Sequence, residues 1–485
     1  MPRPMERRRP HAYQWEVWAA LAAYLALLTV STFAGYQLTV PWDYFQLLPQ
    51  RALIGNLGES LYYLHAQPPL MNLELGLGLK LARALDMHWR PVLFGIHIAL
   101  GGIAVYAFTR LCQSLMARGW IRAVAIAVFV LSPVFYMSLF QFFYTFHEVV
   151  LLSLLALAVF SYAKTRSTFD YGCVCIVVAL LVGTHSLFHF AWGLIVLVSL
   201  PWVCRKAAPR TPASPPTYPA GQLAWLAASF VVLLAWPVKN GLLFDSFHAS
   251  SWGGYSMALE LPVDVDRLPP RDWSVPDRFA SVPVVADRLK SDGSANWNHF
   301  SIIQHSRNQG ELALQALAED PLALARKARL NYWNFTRFAG RNPYTGSFGI
   351  SDHTFPGALA PWMKTYETVV FQDPRTRDTV AHRAYRNPMR QSWEMSGFAF
   401  LFPLVLLGSA VAILRSRSTD PEESSTALFL LFCVLWVLVT TLLIDGSEAN
   451  RLRFSTEPYF FILAFWSLDR LLRNTPSGAP GREAA

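Results

Sequence analysis

Residues 395–414 read MSGFAFLFPLVLLGSAVAIL, an uncharged run followed at once by Arg415 and Arg417. A helix of roughly 20 apolar residues crosses the hydrocarbon core of a bilayer. Lipid cannot satisfy backbone N–H and C=O groups, so such a run is expected as a helix. Arginines at one end of it mark the side of the membrane that it faces.

The same pattern recurs in both directions along the chain. Apolar blocks cover residues 15–33, 91–108, 123–136, 149–163, 223–236, 426–444 and 459–472. The stretch 173–203 is too long for one span and is broken by Gly183, His185 and His189, so it reads as two. This predicts about ten membrane helices. The first block is too long for a signal-peptide core and reads as a retained span. The composition agrees: 53% of the 485 residues are hydrophobic and only 15% charged, where a soluble domain is nearer a quarter charged. The fold class expected is an all-α integral membrane protein with interfacial helices and a small, mostly helical extracytoplasmic domain.

The net charge of +9 does not point to nucleic acid. The basic residues sit in clusters at the ends of apolar blocks, at 7–9, 110–122, 164–166, 205–210, 415–417 and 470–473. With the N-terminus in the cytoplasm, all six fall on the cytoplasmic side, and the C-terminus does too. The Ala- and Arg-rich, Lys-poor composition suggests a bacterial inner (plasma) membrane. The five cysteines, Cys112, Cys173, Cys175, Cys204 and Cys433, lie in or beside apolar blocks. They read as buried thiols.

Three parts follow from these positions: an N-terminal membrane module over 1–236 with an outer loop at about 36–90, an extracytoplasmic domain over 237–392, and C-terminal membrane helices over 393–485. Within the middle part, leucines recur at helical spacing from Glu311 to Phe335, and Pro321 after Asp320 starts a second helix.

Residues with chemistry gather at the predicted outer boundary. Asp43 follows Val40-Pro41-Trp42 just beyond the first block. A carboxylate beside an apolar wall can serve as a base, or simply cap the next helix. His65-Ala66-Gln67-Pro68-Pro69 forms a rigid corner that fixes His65 and Gln67. Glu148 closes Tyr144-Thr145-Phe146-His147-Glu148 at the edge of the fourth block. An ionisable group at membrane depth is costly and marks a site, unless it only favours a helix N-terminus. The last outer loop holds Glu448, Asn450, Arg451 and Arg453, and Lys239 with Asn240 lies just beyond the seventh block. Arginine's planar fork suits a phosphate or carboxylate, although pairing with Glu448 or Glu457 would serve structure alone.

In this order, Trp42-Asp43, His65-Ala66-Gln67-Pro68-Pro69, Glu148 and Glu448-Ala449-Asn450-Arg451-Leu452-Arg453-Phe454, the chain resembles the GT-C superfamily of membrane glycosyltransferases. It is most similar there to bacterial relatives of the protein O-mannosyltransferases and the lipid A aminoarabinose transferase. Members often carry two adjacent acidic residues in the first outer loop, where Tyr44 follows Asp43 here. Gln67 interrupts the usual His-to-Pro-Pro corner. The resemblance implies an inverting enzyme that moves a sugar from a polyprenyl-phosphate carrier to a glycan, lipid or protein acceptor outside the cytoplasm. It implies Asp43 as general base and Glu148 orienting the acceptor or a metal. Arg451, Arg453 and Lys239 would hold the carrier phosphate, with His65, Gln67, Asn240, Glu448 and Asn450 lining the substrate.

No cofactor is certain. A divalent cation, Mg or Mn, fits only if Asp43 and Glu148 share it, and no dedicated metal residues are expected. The competing reading is a transporter or flippase of a lipid-linked or anionic solute, which predicts ionisable groups deep in facing helices and interrupted spans. A non-catalytic scaffold would lack a carboxylate-lined cavity.

Overall fold

The computed structural model describes residues 14–42, 46–205, 219–261, 263, 268–339, 359–372, 396–444 and 449–474. Among these residues the architecture is all-helical, with only two isolated bridges, Thr39 to Gln141 and Leu289 to Ala295.

Helix α1 (Gln14–Phe33) is followed by two short helices, α2 (Gln50–Gly55) and α3 (Leu57–Tyr62), then α4 (Leu70–Ala84) and α5 (Trp89–Leu115). Next come α6 (Gly119–Val130), α7 (Pro133–Leu139), α8 (Tyr144–Thr165), α9 (Thr168–Thr184), α10 (Phe190–Arg205) and α11 (Ala220–Phe244). The middle part holds α12 (Gly253–Glu260), α13 (Pro283–Ala286), α14 (Ser301–Glu319), α15 (Leu322–Phe335) and α16 (Ala360–Tyr366). The chain ends with α17 (Gly397–Ser416), α18 (Pro421–Leu443) and α19 (Ala449–Asn474).

Nine of the ten predicted spans fall on one helix each and 123–136 runs across α6 and α7, but fewer qualify as spans by length and composition. Six do, namely α1, α5, α8, α11, α17 and α18, and α6 with α7 makes a seventh if the 43° bend between them is counted within one span. Helices α9 and α10 are apolar but short, under the roughly 20 residues a perpendicular crossing needs. Helix α19 has the length but carries Arg451, Arg453, Glu457, Asp469 and Arg470. Leu242, Leu404 and Leu414 on the span helices are largely exposed, as a lipid-facing surface requires.

Lipid gives little drive for one apolar helix to leave it for another, so packing and small polar contacts hold the bundle together. Ser409 meets Ser467 across α17 and α19 at 3.1 Å, and Ser416 meets Ser424 at 2.9 Å. Helix α8 is central and packs against α5, α9, α18 and α19.

One end of the bundle carries a set of ion pairs. Buried Glu16 of α1 pairs with Arg122 at 2.6 Å. Asp469 accepts from the backbone N–H groups of Ala117 (2.9 Å) and Arg118 (3.2 Å), and pairs with Arg118 and Arg473. Arg470 binds both Asp420 and Glu423. The basic clusters at 110–122 and 470–473 therefore share one end. The clusters at 7–9 and most of 205–210 lie outside the described residues.

The middle part covers the opposite end. Asn331 donates to the carbonyl of Leu442 at 3.0 Å, and the Tyr332 hydroxyl donates to that of Ala399 at 2.7 Å. Its helical pair falls where the leucine spacing predicts, with Pro321 immediately ahead of α15. Helices α12 and α14 cross in backbone contact: a Cβ on Gly254 would lie 1.8 Å from the Ser306 carbonyl oxygen.

Candidate functional site

The Pro-Pro corner is clasped by the middle part. Asn298 accepts through Oδ1 from the backbone N–H groups of His65 (2.8 Å) and Ala66 (3.0 Å). His65 Nε2 donates to the Asn298 carbonyl at 2.9 Å, so its Nδ1 accepts from the Ser251 hydroxyl at 2.8 Å. Burial, and then the Lys239 ammonium, hold the His65 imidazole at about 3, far below its ordinary value. This ring is neutral and fully engaged, which makes it a clasp. Lys239 is engaged as well: its ammonium donates to the carbonyls of Tyr62 and Leu64 and lies 3.6 Å over the Trp236 ring. Asn240 donates to the His248 carbonyl at 2.7 Å. Buried Gln67 keeps its Oε1 without a hydrogen-bond partner among the described residues.

Glu148 begins a second cluster. It is fully buried in the first turns of α8, and its Oε1 accepts from His185 Nδ1 at 2.7 Å. Its Oε2 has no hydrogen-bond partner among the described residues. His185 lies where α9 ends, and its ring stacks on Tyr144 at 3.8 Å and 15°. Arg451 of α19 lies over Tyr144 at 4.8 Å and over Phe143 at 4.7 Å. A continuous stack therefore joins the carboxylate–imidazole pair to a buried guanidinium.

Arg453 does not join it. Successive helix residues advance 100°, so positions two apart point nearly oppositely. Arg453 pairs with Glu457 at 2.9 Å and sits between Phe371 and Phe398, 4.8 Å from each. Arg451 and Arg453, expected to hold one phosphate together, therefore have different surroundings in this structure. Asn450 faces the middle part, donating to the Phe338 carbonyl at 3.3 Å. Asp43 and Glu448 lie outside the described residues.

A third cluster is absent from the expected set. Glu74 of α4, His97 of α5 and His147 of α8 bring one donor atom each to within 4.8 Å of one another. These three, with His185, are what the sequence reading missed. The available signal was His97, an imidazole inside an apolar block.

Taken together, the chain is an α-helical membrane protein that buries the Glu148–His185 pair, Tyr144 and Arg451 in one stack. No family model matches the chain, and no curated protein matches it. Among solved structures it is similar to the archaeal oligosaccharyltransferase AglB from Archaeoglobus fulgidus, in complex with an inhibitory peptide and a dolichol-phosphate, with 12% identity and a TM-score of 0.40 over 96% of this chain and 53% of that one. It is also similar to the apo form of the Archaeoglobus fulgidus oligosaccharyltransferase, with 11% identity and a TM-score of 0.41 over 96% of this chain and 51% of that one. The chain spans about half the length of these two proteins.

Proposed function

We propose that this protein is an inverting glycosyltransferase that moves a sugar from a polyprenyl-phosphate carrier to an acceptor at the extracytoplasmic side of a bacterial inner membrane. The supporting observation is the buried Glu148–His185 pair stacked through Tyr144 onto Arg451. The pair offers fixed polar atoms to orient the acceptor, and the guanidinium offers a fixed cation for a leaving phosphate.

In this reading the acceptor hydroxyl oxygen attacks the anomeric carbon. The bond from that carbon to the phosphate oxygen breaks, and the carrier phosphate leaves with the electron pair. The acceptor proton passes to a carboxylate, for which Asp43 is the first candidate, with Glu148 and His185 orienting the acceptor. Gln67 contributes to the polar lining, while His65, Lys239 and Asn240 hold the corner that carries it. Asn450, tied to the Phe338 carbonyl, precedes Arg451 on α19, and Glu448 is assigned to the substrate lining.

The test is to reconstitute the protein in lipid with a panel of polyprenyl-phosphate sugars and follow free carrier phosphate. Transfer that is lost in Asp43→Asn, with carrier binding retained, supports the reading. Full activity in that variant removes Asp43 from the mechanism. The 43° break between α6 and α7 favours the transporter reading in one respect, since interrupted helices line transport sites. Carrier movement across sealed vesicles without sugar loss would establish that reading instead.

A further inference from the structure

We propose that Glu74, His97 and His147 form a binding site for a first-row transition-metal dication of the zinc type, between α4, α5 and α8. The inference stands independently of the transferase reading.

The ring tautomers carry the argument. His147 Nδ1 lies 3.0 Å from the Phe143 carbonyl oxygen, and His97 Nδ1 lies 2.8 Å from that of Leu139. A carbonyl oxygen only accepts, so each Nδ1 bears the hydrogen. Each Nε2 of a neutral ring then presents a lone pair. His147 Nε2 faces Glu74 Oε2 at 2.9 Å. Two lone pairs at that distance need a cation between them. A proton on His147 would satisfy those two atoms and leave out the rest: His97 Nε2 and Glu74 Oε1 are buried with no hydrogen-bond partner among the described residues. A metal ion gathers the His97 donor as well. An imidazole whose other nitrogen donates to a backbone carbonyl is the usual support of a metal-ligating histidine.

The rings are also held in place. His97 is stacked on Phe142 and Phe146, with centroids 5.3 and 5.0 Å away, and meets His147 edge-on at 5.3 Å and 84°. Glu74 is partly exposed, which gives the ion a way in. Two imidazoles and one carboxylate suit zinc, cobalt, nickel or iron, whereas magnesium demands oxygen ligands. Three protein ligands leave a fourth position to water or a substrate oxygen. This set differs from the sharing of one ion by Asp43 and Glu148: Glu148, one residue on from His147, turns to His185.

The test uses tag-free, full-length protein in nanodiscs, stripped with chelator and then dialysed against Zn2+, Co2+ or Mg2+. We expect one equivalent of Zn2+ per chain, displaced by Co2+ with the visible absorption of a four- or five-coordinate site, and no retention of Mg2+. His97→Asn and Glu74→Gln should each weaken Zn2+ binding at least tenfold. The wild-type cobalt spectrum decides the matter even if a variant fails to fold. Stripped wild-type protein that takes up no stoichiometric Zn2+ or Co2+, or that retains Mg2+ as well as Zn2+, overturns the proposal.

Discussion

His185 donates from Nδ1 to the Glu148 carboxylate at 2.7 Å, across the break that ends α9. The pair spans 37 residues of sequence and is buried. The bond leaves His185 Nε2 as the basic nitrogen, so the two residues act as a unit. Glu148→Gln and His185→Phe should each lower the rate of sugar transfer by about 10²–10⁴-fold, and the double variant should lose little more than either alone. Steady-state rates in lipid, beside melting temperatures that confirm folding, check this. Additive losses would mean that the two side chains work separately.

Arg451 and Arg453 should separate cleanly. Lysine cannot reproduce a planar guanidinium stacked on Phe143 and Tyr144, so Arg451→Lys should raise KM for the carrier about tenfold, a difference of about 1.4 kcal/mol. Arg453→Met leaves Glu457 buried without its ion-pair partner, which should cost about 3–5 kcal/mol of stability. Carrier titrations and thermal melts of both variants distinguish the two roles. A common effect on KM would return Arg453 to the binding site.

The His65 clasp gives stability a pH dependence. Folded His65 holds off protonation to about 3 from an ordinary 6.5, so below pH 6.5 the unfolded chain binds the extra proton first. Stability therefore falls as pH drops through the window from 6.5 to 3, by about 1.4 kcal/mol for each pH unit. His65→Gln removes the titrating group. Melting temperatures between pH 7 and pH 4 should fall more steeply in the wild type than in this variant, and parallel slopes would refute the linkage.

Gly254 allows α12 to lie on α14 at backbone distance. A methyl group at Gly254 would overlap the Ser306 carbonyl, and neither backbone can rotate away as a side chain would. Gly254→Ala should destabilise this crossing by about 1–3 kcal/mol or more. Limited proteolysis of the middle part should then cut the variant faster than the wild type. Equal rates would show that the crossing relaxes freely.

Much of the fold was legible because membrane partition is a local property: whether some 20 successive residues suit lipid can be judged without knowing their neighbours. All ten blocks are helical, and the start of α15 after Pro321 was readable from one proline and its spacing. The weaker spans exposed a limit of that local rule. Helix α19 carries buried charge because Arg453 finds Glu457 within its own helix and Arg470 finds Asp420 just before α18 and Glu423 on it, and α18 lies beside it only in the folded bundle.

Residue type and order were enough to define an α-helical membrane protein, because hydropathy acts along the chain. Which polar side chains meet one another was decided only by tertiary contact. Lys239 and His65 bond to partners 175 and 233 residues away, which no local pattern announces. Glu74, His97 and His147 became a cluster only when three helices turned the same faces inward. A donor's free valence depends on what packs against it, and that is a property of the folded bundle.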